Sequence, residues 1–444
     1  MGDEQKGNRT LGEAGWHASR YNVSASIPDS TDIIVANLTT GTCVRLNQME
    51  QYLLSVVEEL DENHPAANLL RNKHLIANCD ERAMIEAQGR LDAGQSHSIG
   101  LTICPTMGCN FDCPYCFENH GSGPMSEQVQ DDVVALAERM LKASRARKFD
   151  VNWFGGEPLL YPQIIESLSE RFMALSERYG ASYSAGIVTN GYLLTQEIAD
   201  MLGRVKVEGA LITIDGIGAT HDATRHLVGG GPTFDRIVSN LRTLRLPFKV
   251  QVRHNIHEGN FAERDELDAL VAQIAEESGN VLFSDSAAIA DSDPAEQRGR
   301  QVDLLGDDAL SETWRKHDAA NFTHGRGSFC CANTFWSLGI DEKGNLHKCW
   351  EAVDKTELSF GTAHDWDPDN PLETASNPDK FTCYLNTTGP VPYEACKECV
   401  FLPVCVGGCP FRRLFGKGRM CPPYKDDPET FVRALYEARQ KKEG

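Results

Sequence analysis

The chain has 444 residues, 41% of them hydrophobic and 24% charged, and its acidic side chains outnumber basic ones by 64 to 43. Those fractions exclude wholesale disorder and predict a globular protein of several domains. A net charge of -21 without a basic run argues against nucleic acid as the main partner. No apolar run reaches the roughly 18–20 residues of a membrane-spanning helix, so no membrane partner is expected. The polar opening stretch MGDEQKGNRTLGEAGWHASR has no apolar signal core, which points to a reducing, cytoplasmic setting.

In chain order, YNVSAS, DIIVANL and TCVRL between residues 20 and 46 predict short strands separated by turn-prone residues. A helical spacing follows, with Met49, Tyr52, Leu53, Val56, Val57 and Leu60, and further helices are expected near 67–76 and 80–90. From residue 98 the pattern alternates. Strands are predicted at Ile99–Cys104, Phe149–Phe154, Ser184–Val188, Ala210–Ile214, Lys249–Ile256 and Val281–Ser284, with helices near 126–144, 163–178, 195–204, 233–244 and 262–277. Strands and helices alternating at this length argue for βαβ units, a parallel sheet and chemistry at the strand C-termini. The stretch DSAAIADSDPAEQRGR has little pattern, and a helix is expected near 428–442. The reading is therefore α/β: a small N-terminal α+β, winged-helix-like module (1–97), a partial (β/α)6 TIM-like barrel (98–300), a linker (301–325) and an irregular cysteine-rich domain (326–444).

The 15 cysteines are the outlier. Clustered cysteines in a chain without an export signal point to metal or redox chemistry before disulfides. None lies between Cys116 and Cys330, so two metal-binding regions flank a cysteine-free body. Cys109, Cys113 and Cys116 form CxxxCxxC, in which three thiolates on a short loop can cap three corners of a [4Fe–4S] cube and leave one iron open. A zinc site is the alternative, although such sites usually draw four ligands from paired units. Cys43, Cys79 and Cys104 read as small buried residues.

CxxxCxxC after the first strand of a βα repeat, followed by GGEP (Gly155, Gly156, Glu157, Pro158) after the second, resembles the radical S-adenosylmethionine superfamily. That resemblance implies S-adenosylmethionine on the open iron, one-electron cleavage to a 5′-deoxyadenosyl radical and hydrogen-atom abstraction from a substrate. It makes GGEP the contact for the cofactor's amino group and places Tyr115 near its adenine. Asn190, Thr213 and Asn255, at the ends of the third to fifth strands, become further cofactor contacts. Arg253 alternates with Asn255 on the fifth strand and is also expected to point into the barrel. THDATR (Thr220 to Arg225) is similar to the segment after the fourth strand, with His221 read as structural.

The second group, Cys331, Gly344, Cys349, Cys396, Cys399, Cys405, Cys409 and Cys421, resembles the seven-cysteine SPASM domain. That implies two auxiliary [4Fe–4S] clusters, three clusters in all. Cys396, Cys399, Cys405 and Cys421 would hold one. Cys331, or Cys330 in its place, with Cys349 and Cys409 would hold the other, with Cys330, Cys383 or a substrate thiolate as its fourth ligand. The arrangement is similar to ribosomal-peptide maturases. Its expected partners are a precursor peptide, whose leader the N-terminal module would bind as an added strand, and a flavodoxin- or ferredoxin-like electron donor. Sulfatase-activating enzymes place an aspartate directly after the domain's second cysteine, whereas here Trp350 and Glu351 follow Cys349, which counts against formylglycine formation. Thioether formation is the leading expectation, ahead of carbon–carbon or ether crosslinks; a non-catalytic zinc scaffold is the reading from another class. Glu351, Asp215 and His347 are the acid–base candidates.

Overall fold

The structure, a computed structural model, describes residues 15–443 apart from 62–63, 96, 122, 289–329, 389–393, 416–420 and 422–424. The expected linker 301–325 lies outside the described residues.

A two-stranded ribbon pairs β1 (His17–Ala18) with β5 (Ile76–Ala77). Beside it β2 (Asn22–Ser26), β3 (Ile33–Asn37) and β4 (Cys43–Leu46) form an antiparallel sheet in that order. Helix α1 (Gln48–Ser55) starts at a capping box, with Asn47 Oδ1 accepting from the Glu50 amide at 3.0 Å and Glu50 accepting from the Asn47 amide at 3.0 Å. Helices α2 (Pro65–Asn72) and α3 (Glu81–Gly94) complete this α+β unit. Cys79, expected to be buried, is exposed just before α3, because the chain turns there in front of the Asp80 N-cap. Cys43 is half-buried, and Cys104 is fully buried directly after its strand.

The body is the expected α/β repeat: β6 (Ser98–Ile103), α4 (Glu127–Ser144), β7 (Lys148–Trp153), α5 (Pro162–Tyr179), β8 (Ser182–Thr189), α6 (Gln196–Arg204), β9 (Val207–Thr213), α7 (Ala219–Thr224), α8 (Phe234–Thr243), β10 (Lys249–Ile256), α9 (Arg264–Ser278) and β11 (Leu282–Ala288). The six strands β6 to β11 are parallel and adjacent in chain order. Ile99, Leu101 and Ile103 of β6 pack in one core with Val133, Leu136 and Met140 of α4. The intervening strand positions face the hollow of the curved sheet, and they include polar Arg253 and Asn255. This is the partial TIM-like barrel of the sequence reading.

The C-terminal region is more regular at its start than the sequence pattern indicates. Strand β12 (Ser337–Ile340) adds in parallel to β6, with Leu338 opposite Leu101. It turns back through Gly344 at φ +83° into β13 (Asn345–His347), which pairs with β14 (Gly361–Thr362), so that this sheet has nine strands among the described residues. These strands have two to four residues, too short for alternation to show, and they form because β6 offers an open edge.

The cysteine-rich region divides between two cores. Phe360, Trp366 and Phe381 join the barrel core. Phe401, Leu402 and the helix Pro428–Glu443, through Phe431, Val432 and Leu435, pack instead against Tyr21, Val23, Ala36 and Leu38 of the N-terminal sheet. The N-terminal sheet and the helix Pro428–Glu443 therefore share one core. Phe431 is fully buried, with its ring 5.6 Å from that of Phe401. Phe431→Ala is expected to cost about 3–5 kcal/mol, read as a lower denaturation midpoint, and limited proteolysis should show the N-terminal sheet and residues 396–443 loosening together.

Candidate active site

The loop after β6 carries CxxxCxxC and is laced to its neighbours through backbone groups. The Phe154 amide donates to Ile103 O (2.9 Å), the Gly156 amide to Thr106 O (3.3 Å) and the Glu157 amide to Gly108 O (2.9 Å). At its far end, the Asp112 amide donates to His226 O and the Val228 amide to Asn110 O. This approach explains the two glycines. A Cβ on Gly155, which has φ +105°, would stand 2.3 Å from Thr106 O, and one on Gly156 would stand 2.3 Å from Gly108 O.

Cys109, Cys113 and Cys116 then line one cavity of about 550 Å³ at the C-terminal ends of the barrel strands. Tyr115, Gly155, Gly156, Asn190, Thr213 and Asn255 share its walls. Eight residues singled out in the sequence as cofactor contacts thus divide into six at the cavity and two, Glu157 and Pro158, buried behind it. Glu157 has no exposed surface. Its Oε1 accepts from the Leu159 amide (2.9 Å) and Thr189 Oγ1 (2.7 Å), and its Oε2 from the Asn190 amide (2.7 Å). Its carboxylate ties strand ends together instead of facing the cavity. Burial pushes its pKa up, against those three hydrogen bonds.

A polar hub closes one side. The Tyr115 hydroxyl donates to Asp215 Oδ2 and accepts from Arg225 Nη1 (2.8 Å) and Asn255 Nδ2 (3.3 Å). Asp215 Oδ1 accepts from the Asn255 amide at 3.1 Å. Asp215 itself is 1% exposed and lies behind the lining. His221 accepts at Nδ1 from the Asp215 amide (3.1 Å), and its Nε2 meets Thr233 Oγ1 at 3.1 Å. Burial, with Arg225 nearby, holds its pKa down to about 3, so it stays neutral and structural. Arg225 also lines the cavity, a place the sequence reading did not assign although THDATR contains it.

The opposite wall comes from the C-terminal region. Trp350, Glu351 and Arg412 line the cavity, and the Trp350 ring lies 5.4 Å from Phe154, itself stacked on Phe117. Glu351 faces Arg412 at 3.9 Å. Of the acid–base candidates, Glu351 is thus at the cavity. His347 is fully buried in β13 beside Asp341 (3.7 Å) and does not line it. Trp350 and Arg412 lie far from the barrel motifs in sequence, and nothing local marks them.

The remaining cysteines form two groups. The Cys330 and Cys331 thiols hydrogen-bond one another beside Lys348, the bond pulling Cys330 down and pushing Cys331 up, and Cys330 packs on an apolar group formed by Ala332, Cys349, Ala352 and Tyr384. Cys383 packs on the same apolar group, but its thiol points to Lys380 O of its own helix at 3.5 Å. Cys396, Cys399, Cys405 and Cys421 line a second, smaller cavity with Lys425.

The fold and site define a partial-barrel α/β protein that gathers three thiols at its strand ends. Residues 103–270 match the Radical SAM superfamily model. The chain is similar to the AdoMet-dependent heme synthase of Methanosarcina barkeri (29% identity; 40% of this chain, 48% of the relative). It is also similar to the sporulation killing factor maturation protein SkfB of Bacillus subtilis (26%; 42% and 41%). Each match spans less than half of the relative's length. Among solved structures, anSMEcpe with bound AdoMet and Cp18Cys peptide superposes with a TM-score of 0.57 at 19% identity, over 77% of this chain and 99% of that one, a likeness of fold.

S-adenosylmethionine and an iron–sulfur cluster come with that superfamily, and the residues present fit them. Three soft thiols converge where the glycine backbone is bare and polar groups surround the space. Burial pushes Cys109 up to about 12 and raises Cys113 and Cys116 as well, so loading iron must displace their protons. Glu157→Ala would leave three buried donors unsatisfied at about 1–3 kcal/mol each. It is expected to lower the denaturation midpoint and to weaken S-adenosylmethionine binding at least tenfold by equilibrium dialysis.

Proposed function

We propose that this enzyme is a peptide maturase that uses S-adenosylmethionine to crosslink a precursor peptide. The observation that carries the reading is the meeting of the CxxxCxxC thiols, the GGEP glycines and a C-terminal wall of Trp350, Glu351 and Arg412 around one cavity. Cys109, Cys113 and Cys116 would hold the catalytic cluster. Gly155 and Gly156 present backbone to the cofactor, Asn190, Thr213 and Asn255 offer polar contacts, and Tyr115 packs beside it. Arg225 supplies a buried cation suited to a carboxylate. When bound, cluster and cofactor supply one-electron C–S cleavage and a 5′-deoxyadenosyl radical able to take a hydrogen atom from an unactivated carbon. The protein orients both reactants, and the Phe117–Phe154–Trp350 row shields the space from water.

A peptide is favoured over a small molecule by the N-terminal sheet, whose outer strands β2 and β4 each have one unpaired edge within it. The similarity to SkfB, a maturation protein, supports the same reading. The two further cysteine groups would hold auxiliary clusters, one on Cys396, Cys399, Cys405 and Cys421, the other on Cys331, Cys349 and Cys409 with Cys330 beside them. A Cys thioether is the bond favoured, with carbon–carbon or ether crosslinks as the alternative. The similarity to a heme synthase favours a second reading, a tetrapyrrole-like substrate. Among the described residues no helix is long and apolar enough to cross a membrane.

Anaerobically purified enzyme is expected to hold about twelve irons and the Cys109→Ala/Cys113→Ala/Cys116→Ala variant about eight, with 5′-deoxyadenosine formation abolished. A variant that still cleaved the cofactor would sink the active-site assignment. If a short cysteine-containing precursor peptide is encoded beside the enzyme, co-expression with it should give a peptide lighter by two hydrogens per crosslink in mass spectrometry. A peptide of unchanged mass, with turnover of a tetrapyrrole instead, would overturn the maturase reading.

A further inference from the structure

The loop CKEC, from Cys396 to Cys399, is held by the other end of the chain. Glu398 Oε2 accepts from Arg20 Nη2 at 2.8 Å, and its Oε1 lies 3.7 Å from Arg82 Nη1. Arg20 Nη2 also donates to Lys397 O at 3.4 Å. Arg20 is positioned in turn: its amide donates to Glu81 Oε2 (2.9 Å), and the neighbouring Ser19 hydroxyl to Glu81 Oε1 (2.6 Å), at the first turn of α3. Beneath this clamp Phe401 and Leu402, between the second and third thiols of the four, are buried against Tyr21, Val23 and Leu38. Cys396 and Cys399 pack on the same core and line the small cavity with Cys405 and Cys421. Lys425 Nζ stands 3.9 Å from Cys421 Sγ.

Exposed ion pairs contribute little to stability, and Glu398 is 72% exposed. Their charges matter more for what the neighbouring thiols would carry. A cluster bound by four thiolates gains negative charge on reduction, and its potential follows the net charge around it. Nearby cations favour the reduced form, whereas an anion favours the oxidised one.

We propose that Arg20 and Arg82 of the N-terminal module are positioning residues that act through Glu398 on the cluster held by Cys396, Cys399, Cys405 and Cys421, fixing its loop and setting its reduction potential. This rests on those four cysteines being cluster ligands. It makes the module an electrostatic neighbour of an electron-transfer group, not only a peptide-docking surface. An occupant of the module that engages either arginine therefore changes how readily that cluster accepts an electron.

The test is potentiometric titration of the fully loaded enzyme, followed by electron paramagnetic resonance. Arg20→Gln/Arg82→Gln should move the midpoint of one auxiliary cluster to lower potential, and Glu398→Gln should move the same midpoint upwards, with the other two clusters unchanged. Arg20→Lys/Arg82→Lys should restore the wild-type value, which a loss of loop packing would not. Shifts of the same sign in the two Gln variants, or none with iron content intact, would overturn the proposal alone. Wild-type enzyme carrying only about four irons would sink the auxiliary-cluster reading and the proposal with it.

Discussion

Buried Glu157 joins three neighbouring strand ends through its amide and its carboxylate, and the site depends on that junction. It leaves the loop after β7, its amide reaches Gly108 in the loop after β6, and its oxygens accept from Thr189 and Asn190 at the end of β8. A carboxylate without solvent is tolerable only when its lone pairs are filled, and here three donors fill them. With the junction made, the thiol loop lies flat against Gly155 and Gly156, and the cavity opens above the bare backbone. The same junction spends Asn190, whose amide group bridges Asn110 Oδ1 (2.8 Å) and the Tyr192 amide (3.0 Å) while its side chain still borders the cavity.

A second layer of constraint comes from charge. Arg225 and Asp215 are buried beside one another, and the Tyr115 hydroxyl stands between them as acceptor from one and donor to the other. Such a network rigidifies its surroundings when satisfied. It binds the thiol loop, the segment after β9 and the end of β10 into one unit, so the cavity wall is built from parts of the chain about 140 residues apart. The third wall comes from Trp350, Glu351 and Arg412, delivered by the β12–β13 hairpin and the segment beyond it. The cysteine-rich region is thus half an extension of the barrel and half a partner of the N-terminal sheet.

Much of this was legible in the residues. Alternation marked β6 to β11 because each strand buries one face on helices and turns the other to a polar hollow. CxxxCxxC and GGEP were legible because both are short local runs whose chemistry depends on spacing. The direction of Glu157 was not, since a carboxylate beside two glycines suits a ligand contact as well as a hidden brace. Arg225 was visible in THDATR without a role, because only the fold brings it to Tyr115. Cys79 was misread because a small apolar residue is buried more often than not, while its exposure depends on where one turn faces.

The sequence by itself determined the barrel, the cysteine spacing and the glycine turn, all set by local periodicity, backbone freedom and thiol chemistry. Only the tertiary structure decided which cysteines meet, which polar residues face the cavity and which lie behind it, and that the N-terminal sheet and the helix Pro428–Glu443 share a core. Those outcomes depend on contacts between residues hundreds of positions apart, such as Arg20 with Glu398 and Tyr21 with Phe431. No local pattern records such pairs, because they exist only once separate apolar faces have found each other in the fold.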